Sequence, residues 1–321
     1  MKRKILILVA IIFVVIGTAA VILIVCSQEG GLFGKGQEKN IAKPIEIEIP
    51  KEEPEPEPEP TPPEEPAPQQ ATENPASESS SGNIQEIQSR LEQLVSTEYN
   101  AGGNIAICTG KVDGNDLATV NNAPMQAASL IKLYVAGCVY ENYDKVTAYD
   151  SYGGETENLM RSMITVSDNS ACNTLVTRLG DGVAGNGMAL VNQYCSTHGF
   201  SDTHMGRLML EPNDVDDNYT SVRDCCNFLK MINASQLEGS ATILSYMNQQ
   251  ERRGKIPAGL PSGVSSGNKT GELSDVENDA AIVYGNGGTY VLCVMSQKLS
   301  DPYSARQFII RTSSVVYEMM Q

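Results

Sequence analysis

The chain has 321 residues, 41% of them hydrophobic and 6% aromatic, and a formal net charge of −16. That length accommodates one large domain or two small ones, and an acidic balance with few aromatics excludes a nucleic-acid binder. The charge is unevenly placed. Pro44 to Gly82 holds eleven glutamates, no aspartate, a single lysine and eleven of the sixteen prolines, so about ten of the negative charges sit in that stretch and the rest of the chain is mildly acidic.

Ile5–Val25 is a run of 21 uncharged residues behind Lys2, Arg3 and Lys4. It is long enough to span a bilayer and longer than a signal-peptide core, and the basic flank is expected to stay cytoplasmic with the remainder outside. A cleaved signal peptide fits less well, because the small residues Gly17 to Ala20 are followed by five more apolar ones. A lipoprotein signal at Cys26 is disfavoured by the bulky Ile24 and Val25 before it. Residues 1–28 therefore read as a basic tip and transmembrane anchor. Residues 29–83 read as a disordered Pro/Glu-rich linker, a self-repelling tether with too little apolar area to offset its ordering entropy.

Residues 84–321 then form one domain of ordinary size. Ile84, Ile87, Leu91, Leu94 and Val95 predict one helix face. NIAICTG predicts a strand, and the turn at Asp113-Gly114 a hairpin into DLATVN. From about residue 128 to 250 the pattern is helical with polar loops. Strands return in DAAIVYG and TYVLCVMSQ around Gly287-Gly288, and a last helix is expected from about Ser304 to Met319. This order predicts an α+β fold, an antiparallel sheet covered by the N- and C-terminal helices with a helical insert between its strands.

Seven of the eight cysteines follow the anchor. Cys108, Cys138, Cys172 and Cys293 lie in apolar patterns typical of small buried side chains, and Cys225 and Cys226 are adjacent on one predicted helix. No spacing suits zinc, and the only histidines, His198 and His204, fall in loop-like stretches, so neither metal nor cofactor is expected.

The chemistry concentrates elsewhere. In QAASLIKLYVAGCV a single lysine, Lys132, sits in a run as apolar as a core helix, three residues after Ser129. Burying an ammonium costs several kcal/mol, roughly, unless something compensates. At spacing i, i+3 the two side chains share a helix face within hydrogen-bonding reach, and a desolvated amine of lowered pKa is able to take the serine proton. S-x-x-K alone is a weak signal: Ser266 to Lys269 is a second copy in a Gly- and Ser-rich stretch. The first copy gains force from Ser167-Asp168-Asn169 in MITVSDNSACNTLV and from Lys269-Thr270-Gly271 at the edge of a predicted strand pair.

With these three tripeptides in this order, the chain resembles the penicillin-recognising serine enzymes, and most closely the class A β-lactamase family. The resemblance covers 84–321 and implies the β-lactamase/transpeptidase-like fold. It implies that Ser129 attacks an acyl carbonyl, that Lys132 accepts or relays its proton, and that Ser167 passes a proton to the leaving nitrogen. Asn169 would bind the substrate's side-chain amide, and Lys269 and Thr270 its carboxylate, while Gly271 lets the strand approach closely. The backbone N–H groups of Ser129 and Glu272 would meet the oxyanion.

Three departures bear on this expectation. Where class A enzymes carry E-x-x-L-N, GRLMLEPNDVDDNYTS offers Glu211 followed by Pro212-Asn213-Asp214, either a base for the deacylating water or an exposed loop acid. Only 35 residues separate Lys132 from Ser167, which implies a reduced cleft wall. Glu272 stands where small or hydroxyl residues are commoner, and an inward charge there would disfavour anionic substrates. Two functions follow: an extracytoplasmic serine hydrolase acting on β-lactams or D-alanyl wall peptides, of the kind that confers antibiotic resistance, or a penicillin-binding or wall-sensing module with little turnover. The expected partners are that substrate and the membrane.

Overall fold

The computed structural model describes the backbone from residue 76 and side chains from residue 83, through to residue 321. The expected anchor and most of the expected linker lie outside the described residues. Among the described helices none is long and apolar enough to cross a membrane.

Five antiparallel strands form the main sheet in the order β2-β1-β7-β6-β5, with β1 at Asn104–Lys111, β2 at Ala118–Val120, β5 at Ser265–Leu273, β6 at Val276–Gly285 and β7 at Gly288–Gln297. The expected hairpins are present: β1 pairs with β2, and β6 turns into β7 at Asn286-Gly287. Because successive side chains of a strand face opposite sides, the strands divide their residues between two cores. Ile105, Ile107, Ala281, Val283, Leu292 and Val294 face one side; Ala106, Cys108, Ala280, Ile282, Val291 and Cys293 face the other.

The first face is covered by α1 (Ala76–Glu98), through Ile87, Leu91 and Leu94, and by the C-terminal helix α9 (Pro302–Met319), through Phe308, Ile309 and Val316. Helix α1 begins eight residues before the apolar pattern does, because the sequence of its first turns, ASESSSGN, holds no large apolar residue to mark them. Asp301 caps α9, its carboxylate accepting the N–H of Ser304 at 3.1 Å.

The second face is covered by the helical part of the chain. At its centre is α2 (Ile131–Glu141), buried from Ile131 to Val139, which explains why this helix is apolar on all sides. Around it lie α3 (Tyr143–Thr147), α4 (Glu155–Thr165), α5 (Asn169–Leu179), α6 (Ala184–Thr197), α7 (Val222–Asn233) and α8 (Ser240–Asn248). Helices α5 and α6 touch backbone to backbone: a Cβ on Gly187 would lie 1.8 Å from the Val176 carbonyl oxygen. A small ladder pairs β3 (Met125–Gln126) with β4 (Tyr219–Thr220) and seats the segment leading into Ser129. All seven described cysteines are buried and unpaired.

Candidate active site

Ser129 does not lie on α2 itself. It occupies a 3₁₀ turn, Ala128–Leu130, just ahead of the helix, and the preceding residue, Ala128, has φ +46°. A left-handed alanine is strained by about 1–3 kcal/mol, a cost borne only where the surroundings enforce it. The turn holds Ser129 half-exposed, and its Oγ makes no hydrogen bond among the described residues.

This corrects the expected Ser129–Lys132 bond. Lys132, fully buried in the first turn of α2, directs Nζ to the Ser167 carbonyl at 2.7 Å, Asn169 Oδ1 at 2.7 Å and Ser167 Oγ at 3.2 Å. Leu130 and Ile131 keep helical dihedrals, so the bond is absent because Nζ is drawn to the three oxygens of Ser167 and Asn169 instead. Ser167 also has a positive φ, +64°, in the short connection between α4 and α5. Asp168 caps α5 by accepting the N–H of Ala171 at 2.9 Å, so Asn169 enters as the first helical residue.

From the opposite side comes Lys269. The K-T-G tripeptide lies within β5, the edge strand. Lys269 is fully buried and donates to Ser167 Oγ at 2.9 Å and to the Thr270 carbonyl at 2.8 Å. Two amines thus converge on one hydroxyl. Burial pushes the Lys132 ammonium down to about 8. Burial and then the charge of Lys132 push Lys269 well below the ordinary lysine value.

Gly271 brings β5 against the nucleophile turn: a Cβ there would sit 2.7 Å from the Ala127 carbonyl oxygen and 3.3 Å from Ala128 Cβ. Beyond it, Glu272 does not present a bare charge to the cleft, because Lys255 at 3.1 Å and Arg252 at 3.4 Å pair with it. Burial opposes its ionisation, yet Lys255, Arg306 and Arg252 together outweigh burial and hold the carboxyl below the usual value.

These elements border a cleft of about 290 Å³ with Ser129 and Asn169 on its floor, β5 and the following turn on one wall, and the loop from Arg207 to Asp217 on the other. A buried ion pair closes that loop, Arg207 Nε to Asp217 Oδ1 at 2.7 Å; Gln126 and Asn213 also donate to the carboxylate. Inside it, Asn173 brackets Met209, accepting its N–H at 2.8 Å and donating to its carbonyl at 3.0 Å. The side chain lining the cleft there is therefore a thioether. Glu211 also lines the cleft, but it is exposed and its Oε2 accepts the Leu208 N–H at 3.1 Å, turning the carboxylate back onto its own loop. Neither histidine borders the cleft; His198 meets Glu141 and His204 meets Asp216. The Arg207–Asp217 clasp and Met209 were not singled out in the sequence, although an Arg and an Asp ten residues apart around a polar loop are its visible trace.

The sequence model of the Beta-lactamase enzyme family matches residues 144–320, more than half of the chain. The chain belongs to the β-lactamase enzyme family. The family match takes in S-D-N and K-T-G and begins after Ser129 and Lys132, whereas solved structures of the same fold cover nearly three quarters of the chain. PBP-A is 24% identical with a TM-score of 0.61, over 73% of this chain and 95% of that one. A β-lactamase from Sphaerobacter thermophilus is 19% identical with a TM-score of 0.61, over 74% and 97%. A point mutant of PBP-A, captured as an acyl-enzyme complex with penicillin-G, is 25% identical with a TM-score of 0.60, over 74% and 96%. No curated protein matches the chain.

Proposed function

We propose that this β-lactamase-family domain is a penicillin-recognising serine hydrolase that is acylated on Ser129 by β-lactams or D-alanyl peptides and releases the acyl group slowly. The observation that carries acylation is the Lys132–Ser167–Lys269 cluster together with a Ser129 hydroxyl, three residues before Lys132, that makes no hydrogen bond among the described residues. A neutral amine of Lys132 takes the Ser129 proton as Oγ attacks the carbonyl carbon, directly or through a water. The Ser129 and Glu272 N–H groups hold the oxyanion, each such donor contributing about 3 kcal/mol. Ser167 Oγ accepts from Lys269 and, once Lys132 has taken the proton and is an ammonium, from Lys132, so its own proton is left to pass to the departing nitrogen. Asn169 uses Oδ1 for Lys132, which leaves its NH₂ to bind the substrate's amide.

Slow release rests on the second wall. Deacylation needs a base that activates a water beside the ester. Met209 is apolar and Glu211 is engaged with Leu208 N–H. On this reading the domain works outside the cytoplasm, tethered by Ile5–Val25 and the Pro/Glu spacer, for which the sequence is the support.

Rapid mixing with a chromogenic cephalosporin tests the reading. The expected trace is a burst of one equivalent followed by a slow steady phase, absent in Ser129→Ala; no burst and no covalent adduct in the native chain would refute it. Glu211→Gln, with shape and acceptor kept, is expected to leave the adduct lifetime by mass spectrometry unchanged. A longer lifetime in that variant would make Glu211 the deacylating base and the domain a turnover enzyme.

A further inference from the structure

The two N–H groups that hold the oxyanion on the reading above belong to different elements, Ser129 to the nucleophile turn and Glu272 to the edge strand β5. Both must point at one oxygen, so the turn has to be fixed against the strand. Gly271 lets the two approach, but a missing side chain permits contact without enforcing it. The side chain placed to enforce it is Asn278. It lies on β6 as the antiparallel partner of Gly271, and such partners present their side chains on the same face of the sheet. The segment Gln126–Ala127 rests on the bare Gly271 backbone and is gripped by the Asn278 amide, whose Nδ2 donates to the Gln126 carbonyl at 2.8 Å and to the Ala127 carbonyl at 3.2 Å.

Asn278 is fully buried, and its Oδ1 accepts the Ser296 N–H of β7 at 3.0 Å, so both amide hydrogens and the amide oxygen are used. A flipped amide would set its oxygen against two carbonyls, so the orientation is fixed. The gripped carbonyl matters to the nucleophile, because Ala127 O also accepts the Leu130 N–H at 3.0 Å, which closes the turn around Ser129. Other groups hold the same segment by its N–H groups: Gln297 Oε1 takes Gln126 N–H and the Asn218 carbonyl takes Ala127 N–H, each at 2.8 Å. Asn278 holds its carbonyls. We propose that Asn278 is a positioning residue that sets the nucleophile turn against β5 and so keeps the Ser129 and Glu272 N–H groups convergent on one oxyanion. This rests on the acylation reading above. The effect belongs to the transition state: as Ser129 Oγ bonds to the carbonyl carbon, an electron pair moves onto the carbonyl oxygen, and only then is there a charge for the two donors to meet. Loss of the grip therefore slows acylation and leaves the first, non-covalent binding step nearly unchanged.

Two variants provide the test. Asn278→Leu keeps the approximate shape and removes the donors, and Asn278→Ser is the gentler change, leaving room for water where the amide was. The full-length chain in neutral detergent is mixed rapidly with benzylpenicillin over a range of concentrations, which separates the acylation rate constant from the dissociation constant of the first complex. Each variant is expected to lose about ten- to a hundredfold in the rate constant, with the dissociation constant within about twofold of native. Phenylacetamidomethylboronic acid, whose boron adds Ser129 Oγ to give a tetrahedral anion, is expected to lose affinity by a matching factor. Circular dichroism checks that the variants are folded. A native rate constant in a folded variant, a loss confined to the first binding step, or an unchanged boronate affinity would overturn the inference alone. Failure of both variants to fold would also overturn it, since Asn278 would then be a core residue. No acylation of the native chain by benzylpenicillin would overturn the acylation reading as well.

Discussion

Two lysines meet at one serine hydroxyl, and this is where the site's pH dependence originates. Lys132 has its ammonium pushed down to about 8 by burial, and burial together with the charge of Lys132 holds Lys269 well below the ordinary lysine value. A base must be neutral to accept a proton, and the neutral fraction of Lys132 rises as pH climbs through about 8. Acylation by a fluorescent penicillin is therefore expected to accelerate through that pH and then level off. Lys132→Ala is expected to acylate about a hundredfold or more slowly, the range typical of general-base loss, with partial recovery at high pH as hydroxide substitutes. A stopped-flow pH profile checks both, and a wild-type rate in the variant removes Lys132 from the mechanism. The residue types of this site were legible in the sequence, since a lone lysine in an apolar run, S-D-N and K-T-G named it. Its bonds were not. They converge on Ser167, whose left-handed backbone the residue type does not favour and only the surrounding packing imposes.

At the scale of elements, the strands and terminal helices were legible because each buries a periodic apolar face. β5 was not, because SSGNKTGEL is polar and Gly-rich yet buried from Ser266 to Gly271. It is an edge strand covered by the nucleophile turn and by Lys255, whose Nζ donates to the Asn278 carbonyl at 3.0 Å, so tertiary contacts override its weak strand propensity. The α5–α6 contact is likewise invisible as a pattern, since it rests on a missing side chain. Gly187→Ala forces a Cβ to 1.8 Å from the Val176 carbonyl oxygen, a backbone atom with no freedom to step aside. The helices must separate, and overpacking of this kind costs about 1–3 kcal/mol. Thermal unfolding is expected to show a lowered Tm with penicillin labelling retained below it. An unchanged Tm would mean that the two helices are not held at that separation.

For the whole molecule the remaining question is where the domain works, and the sequence supplies a direct handle. Between Lys51 and Arg90 there is no lysine or arginine, and Arg90 lies within α1, packed in the folded unit. Trypsin, which cuts after Lys or Arg, therefore has Lys51 as its last site before the domain, on the C-terminal side of the apolar run Ile5–Val25. If that run anchors the chain with its basic flank inside, trypsin added to intact cells meets Lys51 from outside. It is expected to release a fragment starting at Glu52 that still labels with fluorescent penicillin, since the folded unit resists cleavage while an exposed segment without a core does not. Without trypsin the labelled chain should sediment with membranes. Labelled full-length chain in the soluble fraction, or protection from external trypsin until the cells are lysed, would reverse the topology and place the cleft inside, away from any wall peptide.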